Sequence, residues 1–279
     1  MAVLRVRKSV CVQKVMLVPS HYFIVIGAFA AVTIATAALR VRAVTRTGAV
    51  AAACVGTLCF GASLTIAAAL VTFFVTSSLL SRWRNSAKKL LGFEKTGERD
   101  ALQVLANGGV AAVLSAILVL RGQIMGSPLR DAITVVVLAS LASANADTWA
   151  TEIGSAYGVQ PRLILTGRLA NRGESGAVSV PGAVASLLGA LVIALFAAPF
   201  GHVRAMVIVT LSGCIGSLVD SMLGATLQAH WRVAGSDAWT EKRVDGMRPE
   251  RGLWFMNNDA VNFVSIVIAC LAAAVLCVN

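Results

Sequence analysis

The chain has 279 residues, of which 57% are hydrophobic and 13% charged, with a mean hydropathy of +0.80. Soluble globular chains carry roughly 25% charged residues, so these charges are too few to clothe a water-soluble surface, and a cytosolic enzyme is excluded. A disordered chain is excluded by the same figures. The net charge of +11 falls on no polar segment long enough to form a nucleic-acid-binding domain. It suits bilayer topology and an anionic lipid or substrate better.

Residues 1–20 hold Arg5, Arg7, Lys8 and Lys14 and no acid. The apolar run 21–39 that follows is longer than a signal-peptide core and long enough to span, so a retained first helix is expected. Further apolar runs cover 48–80, 101–120, 131–150, 176–199, 204–228 and 260–277. A span needs about 20 residues, so all but 48–80 read as single helices. As one helix, 48–80 would reach about 50 Å at 1.5 Å per residue, against a hydrocarbon core of about 30 Å. Gly56 and Gly61 mark where it could fold back, as two short helices or a re-entrant hairpin. The fold class is therefore all-α: a polytopic helical membrane protein of about 7–8 membrane segments, with 48–80 read as two short helices or a re-entrant hairpin. No stretch reads as a soluble module, so 1–279 is expected to be one integral membrane domain.

The polar loops 81–100, 158–175 and 229–259 fall on one side and carry most of the Lys and Arg. By the positive-inside rule that side is cytosolic, or its matrix or stromal equivalent. Trp231, Trp239 and Trp254 in the third loop suggest anchoring at headgroup level. The six cysteines form no CxxC pair and read as small membrane-buried thiols.

Charge inside the bilayer costs at least about 2.5–3.5 kcal/mol per residue on insertion scales, so an intramembrane acid is a functional hypothesis by default. Asp147, Glu152 and Asp220 lie in or at the ends of apolar runs, and Asp259 lies at the mouth of the last helix. Around Asp220, at 100° per residue, Gly213, Gly216, Ser217 and Gly224 share its face. Such a stripe meets a neighbouring backbone or a ligand, not lipid. Asp147, Thr151 and Gly154 share another face, with Glu152 turned about 140° away from Asp147. Either the helix unwinds there, or Asp147 holds an ion while Glu152 pairs with a basic residue.

Polar companions cluster at the same end. Lys88, Lys89 and Arg99 precede Gln103 and Asn107; Gly173-Glu174-Ser175-Gly176 reads as a small-residue turn opening a helix; Ser221 follows Asp220; and Asn258 and Asn262 open the last helix. A turn of that kind presents free N–H groups to an anion. Mg²⁺ takes one or two carboxylates plus substrate phosphates, and phosphoryl transfer needs positioned charge more than a covalent nucleophile. No Ser/His/Asp triad, Walker-type loop or HExxH pattern is present.

At these residues the sequence resembles the integral membrane family catalogued as domain of unknown function 92, whose members include animal transmembrane protein 19 and the plant phytyl-phosphate kinase. The resemblance rests on Ser81-Arg82-Trp83, Lys88-Lys89, Gln103 to Gly108, Ala146-Asp147-Thr148-Trp149-Ala150-Thr151-Glu152-Ile153-Gly154, Pro161-Arg162, Gly173 to Ser179, Gly216 to Gln228 and Asn257 to Asn262. These pieces stand in family order across nearly the whole chain. Positions 174 and 175 depart from the family's commoner Gly-Thr-Asn-Gly.

The resemblance implies a membrane-embedded prenyl- or phytyl-phosphate kinase. It would transfer a phosphoryl group from a nucleoside triphosphate, CTP in the plant branch, to an isoprenoid monophosphate. Mg²⁺ would be held by Asp147 and Asp220. Lys88, Lys89 and Arg99 would neutralise the transferring group. Gln103, Asn107, Glu152, Ser175, Gly176, Ser221, Asn258 and Asn262 would bind or orient phosphate. The expected partners are the bilayer, the isoprenoid monophosphate and the nucleotide, at the cytosolic face. A secondary transporter with intramembrane acids is the alternative reading.

Overall fold

The computed structural model describes residues 20–83, 97–122, 124–157, 159–232, 239–241, 243 and 246–278. Lys88 and Lys89 lie outside these residues. Among the described residues, seven helices are long and apolar enough to cross a membrane, and a shorter apolar helix accompanies them. The chain is thus a multi-pass integral membrane protein built of helices.

The first three helices are α1 (Ser20–Arg40), α2 (Arg46–Ala62) and α3 (Leu64–Arg82). The long apolar run 48–80 is indeed two helices, but the break falls at Ser63 rather than at Gly56 or Gly61. Ser63 serves both ends of the break. Its extended backbone donates N–H to Cys59 O at 3.2 Å, closing α2, and its Oγ accepts from Thr65 N at 3.1 Å, opening α3. Thr45 caps the start of α2 in the usual way, accepting from Gly48 N.

The α1 and α2 helices pack antiparallel along a seam of small residues. A Cβ on Gly56 would stand 2.8 Å from that of Ala31, and one on Gly27 would stand 2.6 Å from that of Phe60. Lipid tails are as apolar as leucine, so close backbone approach rather than hydrophobic burial holds such a pair. The next helix, α4 (Ala101–Arg121), runs parallel to α2: Val55 faces Gly108, and Ser115 donates to Cys59 Sγ at 3.7 Å.

The centre of the bundle is α5 (Ser127–Ala156), about 45 Å long. It packs against α3, α4, α6 (Val180–Ala194, continued by a 3-10 turn to Phe200), α7 (His202–Thr226) and α8 (Asn258–Val278). Residues 134–146 are buried apart from Val136. Asn145, fully buried, ties three helices together: its Nδ2 donates to Gly189 O at 2.8 Å, and its Oδ1 accepts from Thr76 and Ser77. The small stripe of α7 seats against α5, Gly213 on Ala142 and Gly216 on Ser143.

The loops gather at one end. There the ends of α1, α3, α5 and α7 meet the starts of α2, α4, α6 and α8. Arg82 donates to Val41 O, Ser81 to Glu152, and Thr45 N to Arg99 O. Two short antiparallel strand pairs brace this loop face: β1 (Arg162–Leu163) with β2 (Ala177–Val178), and β3 (Trp231–Arg232) with β4 (Trp239–Thr240). Trp231 departs from the expected headgroup anchor. It is buried, with its indole donating to Met247 O at 3.3 Å. Trp254 is mostly exposed.

Candidate functional site

A cavity of about 230 Å³ opens at the loop face and runs down between α1, α2, α3, α4 and α5. Its two halves differ in chemistry. Near the loops it is lined by Ser81, Arg99, Gln103, Asn107, Asp147, Glu152, Glu241, Asn258 and Asn262. Deeper, Ile34, Val55, Phe60, Leu70, Phe73 and Phe74 make an apolar sleeve.

On α5 the polar lining is Asp147, Thr148, Thr151, Glu152 and Ser155. These recur at helical spacing, so one stripe of an unbroken helix carries all of them. Asp147 and Glu152 lie at opposite edges of the stripe. The helix does not unwind, and Glu152 turns to a basic residue as the second of the two arrangements expected of it. Glu152 accepts from Ser81 Oγ at 2.6 Å and faces the Arg99 guanidinium electrostatically. Among the described residues none donates a hydrogen bond to the Asp147 carboxylate. A carboxylate left without donors at the wall of a cavity is poised for an outside partner.

Arg99 is fixed from its backbone outward. Its N–H donates to Ala43 O, and its carbonyl accepts from Thr45 N. The guanidinium donates to Ser78 Oγ at 3.0 Å and lies 5.8 Å from the Phe74 ring centroid. Burial pushes Arg99 below its ordinary value, and the charge of Glu152 opposes that shift. Beside it, Asp100 caps α4 by accepting from Gln103 N, while Gln103 Oε1 is buried without a partner among the described residues. Asn107 Nδ2 returns to Gln103 O at 2.9 Å.

Asp220 is not among the residues lining the cavity. Its Oδ2 accepts from Ser265 Oγ of α8 at 3.2 Å, and the charges of Asp147 and Glu241 are both felt at Asp220. Three acids from α5, α7 and the loop after β4 thus share one electrostatic neighbourhood. Among the described residues no three His, Cys, Asp or Glu side chains are grouped to cage a metal by themselves. Mg²⁺ asks for less: one or two hard carboxylate oxygens, with substrate phosphate completing the shell. The paired Asp147 and Asp220 carboxylates fit that requirement.

Besides Asp220, three residues expected from the sequence are not in the lining. Ser221 Oγ bonds back to Ser217 O within α7. Gly176 has φ +79, and any side chain there would collide with Ala225, so it serves close packing of the loop on α7. The turn 173–176 does not open α6, because β2 intervenes and Ser179 caps the helix. Ser175 acts at one remove, donating its hydroxyl to Glu241. Glu241 itself escaped sequence reasoning, because an acid beside Lys242 and Arg243 in a polar loop carries no insertion cost to flag it.

Comparison with known proteins matches residues 29–270 to the family described as integral membrane protein DUF92. Protein PGR of Arabidopsis thaliana is 30% identical over 249 residues, 79% of this chain and 84% of the relative. Protein VTE6, chloroplastic, of the same plant is 26% identical over 243 residues, 84% of this chain and 66% of the relative. An uncharacterized membrane protein of Methanocaldococcus jannaschii is 33% identical over 160 residues, 57% of this chain and 63% of the relative. No solved structure matches the chain. The matched span, the helical architecture and the polar blocks in family order lead to one statement: this chain belongs to the DUF92 family of integral membrane proteins.

Proposed function

We propose that the protein is an isoprenoid-phosphate kinase that works at the cytosolic, or stromal, face of its membrane. One observation carries this reading: a single cavity joins acids, a fixed arginine and amides at its mouth to an apolar sleeve beneath. That division matches a lipid with an ionised phosphate head, and the family resemblance to plant phytyl-phosphate kinase points the same way.

The acceptor's tail lies in the sleeve and its monophosphate meets Arg99, Gln103 and Asn107. Arg99 suits that task because its planar fork matches phosphate oxygens and its backbone cannot drift. Lys88 and Lys89, which lie between α3 and α4 in the sequence, would add positive charge for the nucleotide. Asn258 and Asn262 orient phosphate oxygens from α8. Asp147 and Asp220 would hold Mg²⁺, which supplies Lewis-acid neutralisation of phosphate charge when bound.

In the transfer, an acceptor phosphate oxygen attacks the γ-phosphorus of the nucleoside triphosphate, CTP by analogy with the plant branch. The bond to the β,γ-bridging oxygen breaks and the nucleoside diphosphate leaves. The attacking oxygen is already ionised near neutral pH, so no strong general base is needed. Among the described residues no histidine lines the cavity, consistent with that chemistry.

A carrier would need its acids open to both sides. Here the polar lining lies toward the loop face, and the sleeve ends against packed helices. Proteoliposomes containing the protein, phytyl or geranylgeranyl monophosphate, Mg²⁺ and CTP test the two readings together. Formation of prenyl diphosphate without movement of nucleotide or phosphate into the lumen supports the kinase. Uptake without diphosphate would replace it with the carrier.

A further inference from the structure

The apolar sleeve has a floor. Phe60 is the deepest residue that α2 contributes to the lining, and α1, α2 and α4 approach closely just beneath it. The seam between α1 and α2 closes where Gly27 meets Phe60 and Gly61. The next position, Gly61, is hemmed by Ile24 of α1 and Val119 of α4, which would stand 3.0 and 3.5 Å from a Cβ there. Because Val55 faces Gly108, Gln103 lies about five residues above that level and Phe60 five below it. At 1.5 Å per residue the sleeve between the head-binding amide and the floor is roughly 15 Å long.

We propose that Phe60 sets the length of lipid tail the cavity accepts, admitting a phosphorylated chain that ends above its ring and rejecting longer ones. This rests on the reading of the cavity as the site of a lipid phosphate. The competing route is sideways. Among the described residues α1 and α3 share no extended interface, so a tail that turned out between them into the bilayer would never meet Phe60.

A series of saturated alkyl monophosphates of increasing length, competing with a labelled prenyl monophosphate for the purified full-length protein, separates the two. Each methylene buried in the sleeve improves affinity about fourfold, so wild type gains at that rate and then breaks to a plateau or a fall at the floor. Phe60→Ala moves the break to longer chains. Phe60→Trp moves it to shorter ones. Val71→Phe, which narrows the α3 wall of the sleeve, also shortens it and serves if the Phe60 variants fold poorly. A break at the same length in every folded variant, or a smooth rise with no break, overturns the proposal. Diphosphate formation is measured in parallel on the same proteins. A moving break without any diphosphate would sink only the kinase reading; diphosphate with an immovable break would sink only the role of Phe60.

Discussion

The guanidinium of Arg99 lies 5.8 Å from the ring centroid of Phe74, at the level where the polar mouth of the cavity gives way to its apolar sleeve. One residue comes from the loop before α4 and the other from α3. Their contact, with the Ser78 hydrogen bond, aims a fixed positive charge at the place where a lipid phosphate would rest. Removing a preorganised charged donor from a transition state costs typically 10²–10³ in rate. Arg99→Gln is therefore expected to lower kcat/KM for the lipid acceptor by about 10²-fold. Arg99→Lys keeps the charge without the fork and should lose about tenfold. Initial rates across acceptor concentrations measure both.

Asp147 and Asp220 repel each other, and Glu241 adds to the charge at Asp220. A protein that kept these acids for stability would suffer from their loss. One that keeps them for a ligand should gain from neutralising them. Asp147→Asn and Asp220→Asn are each expected to raise, or leave unchanged, the Tm of the metal-free protein. The same substitutions should cut phosphoryl transfer by at least about 10²-fold. Scanning calorimetry or fluorimetry, paired with the rate assay, reads both outcomes.

Chelation gives a separate test. Ligand bound at 100 times its Kd stabilises a fold by about 2.7 kcal/mol. Millimolar Mg²⁺ should accordingly raise the Tm of wild type in the presence of nucleotide, and EDTA should reverse both the rise and the activity. Asp147→Asn should show neither response. An equal Mg²⁺ shift in that variant would move the metal elsewhere.

Ser175 donates to Glu241, so the loop before β2 holds a loop acid at the cavity wall. Neither group is expected to touch the transferring phosphorus. Ser175→Ala should raise the KM for nucleotide by roughly three- to tenfold, the loss of about one hydrogen bond, with kcat nearly unchanged. An effect on kcat alone would assign Glu241 a part in the chemistry.

The bracing of the bundle has its own signature. Asn145→Ala would remove a donor to the Gly189 carbonyl and an acceptor shared by the Thr76 and Ser77 hydroxyls, inside the helix packing. A loss of about 2–4 kcal/mol is expected, because each buried polar group left unpaired costs roughly 1–3 kcal/mol. Reversible unfolding in mixed detergent measures it, with catalysis per folded molecule little changed.

Much of this was legible before any coordinates. Hydropathy alone separates the spans, because a bilayer demands long apolar runs. The excessive length of 48–80 exposes the extra helix, though not Ser63 as its breaking point, since a serine hides easily in an apolar run. Asp147, Glu152, Arg99, Gln103, Asn107, Asn258 and Asn262 stand out as polar residues at the edges of such runs, and all of them line the cavity. Asp220 stands out equally, yet it is not in the lining and is bonded by Ser265 of α8. Glu241 was hidden because a charge in a loop costs nothing. The sleeve was hidden for the opposite reason. In a membrane helix every apolar side chain looks alike in sequence, and only the close approach of α1 to α2 decides that Phe60 faces a cavity and not lipid.

The most direct test follows a γ-labelled phosphoryl group from CTP to phytyl monophosphate, using purified wild type and Asp147→Asn side by side with Mg²⁺. Labelled phytyl diphosphate from wild type, reduced at least about 10²-fold by the substitution, is the predicted result. Folded wild-type protein that binds the monophosphate yet transfers no label from CTP, ATP, GTP or UTP would contradict it.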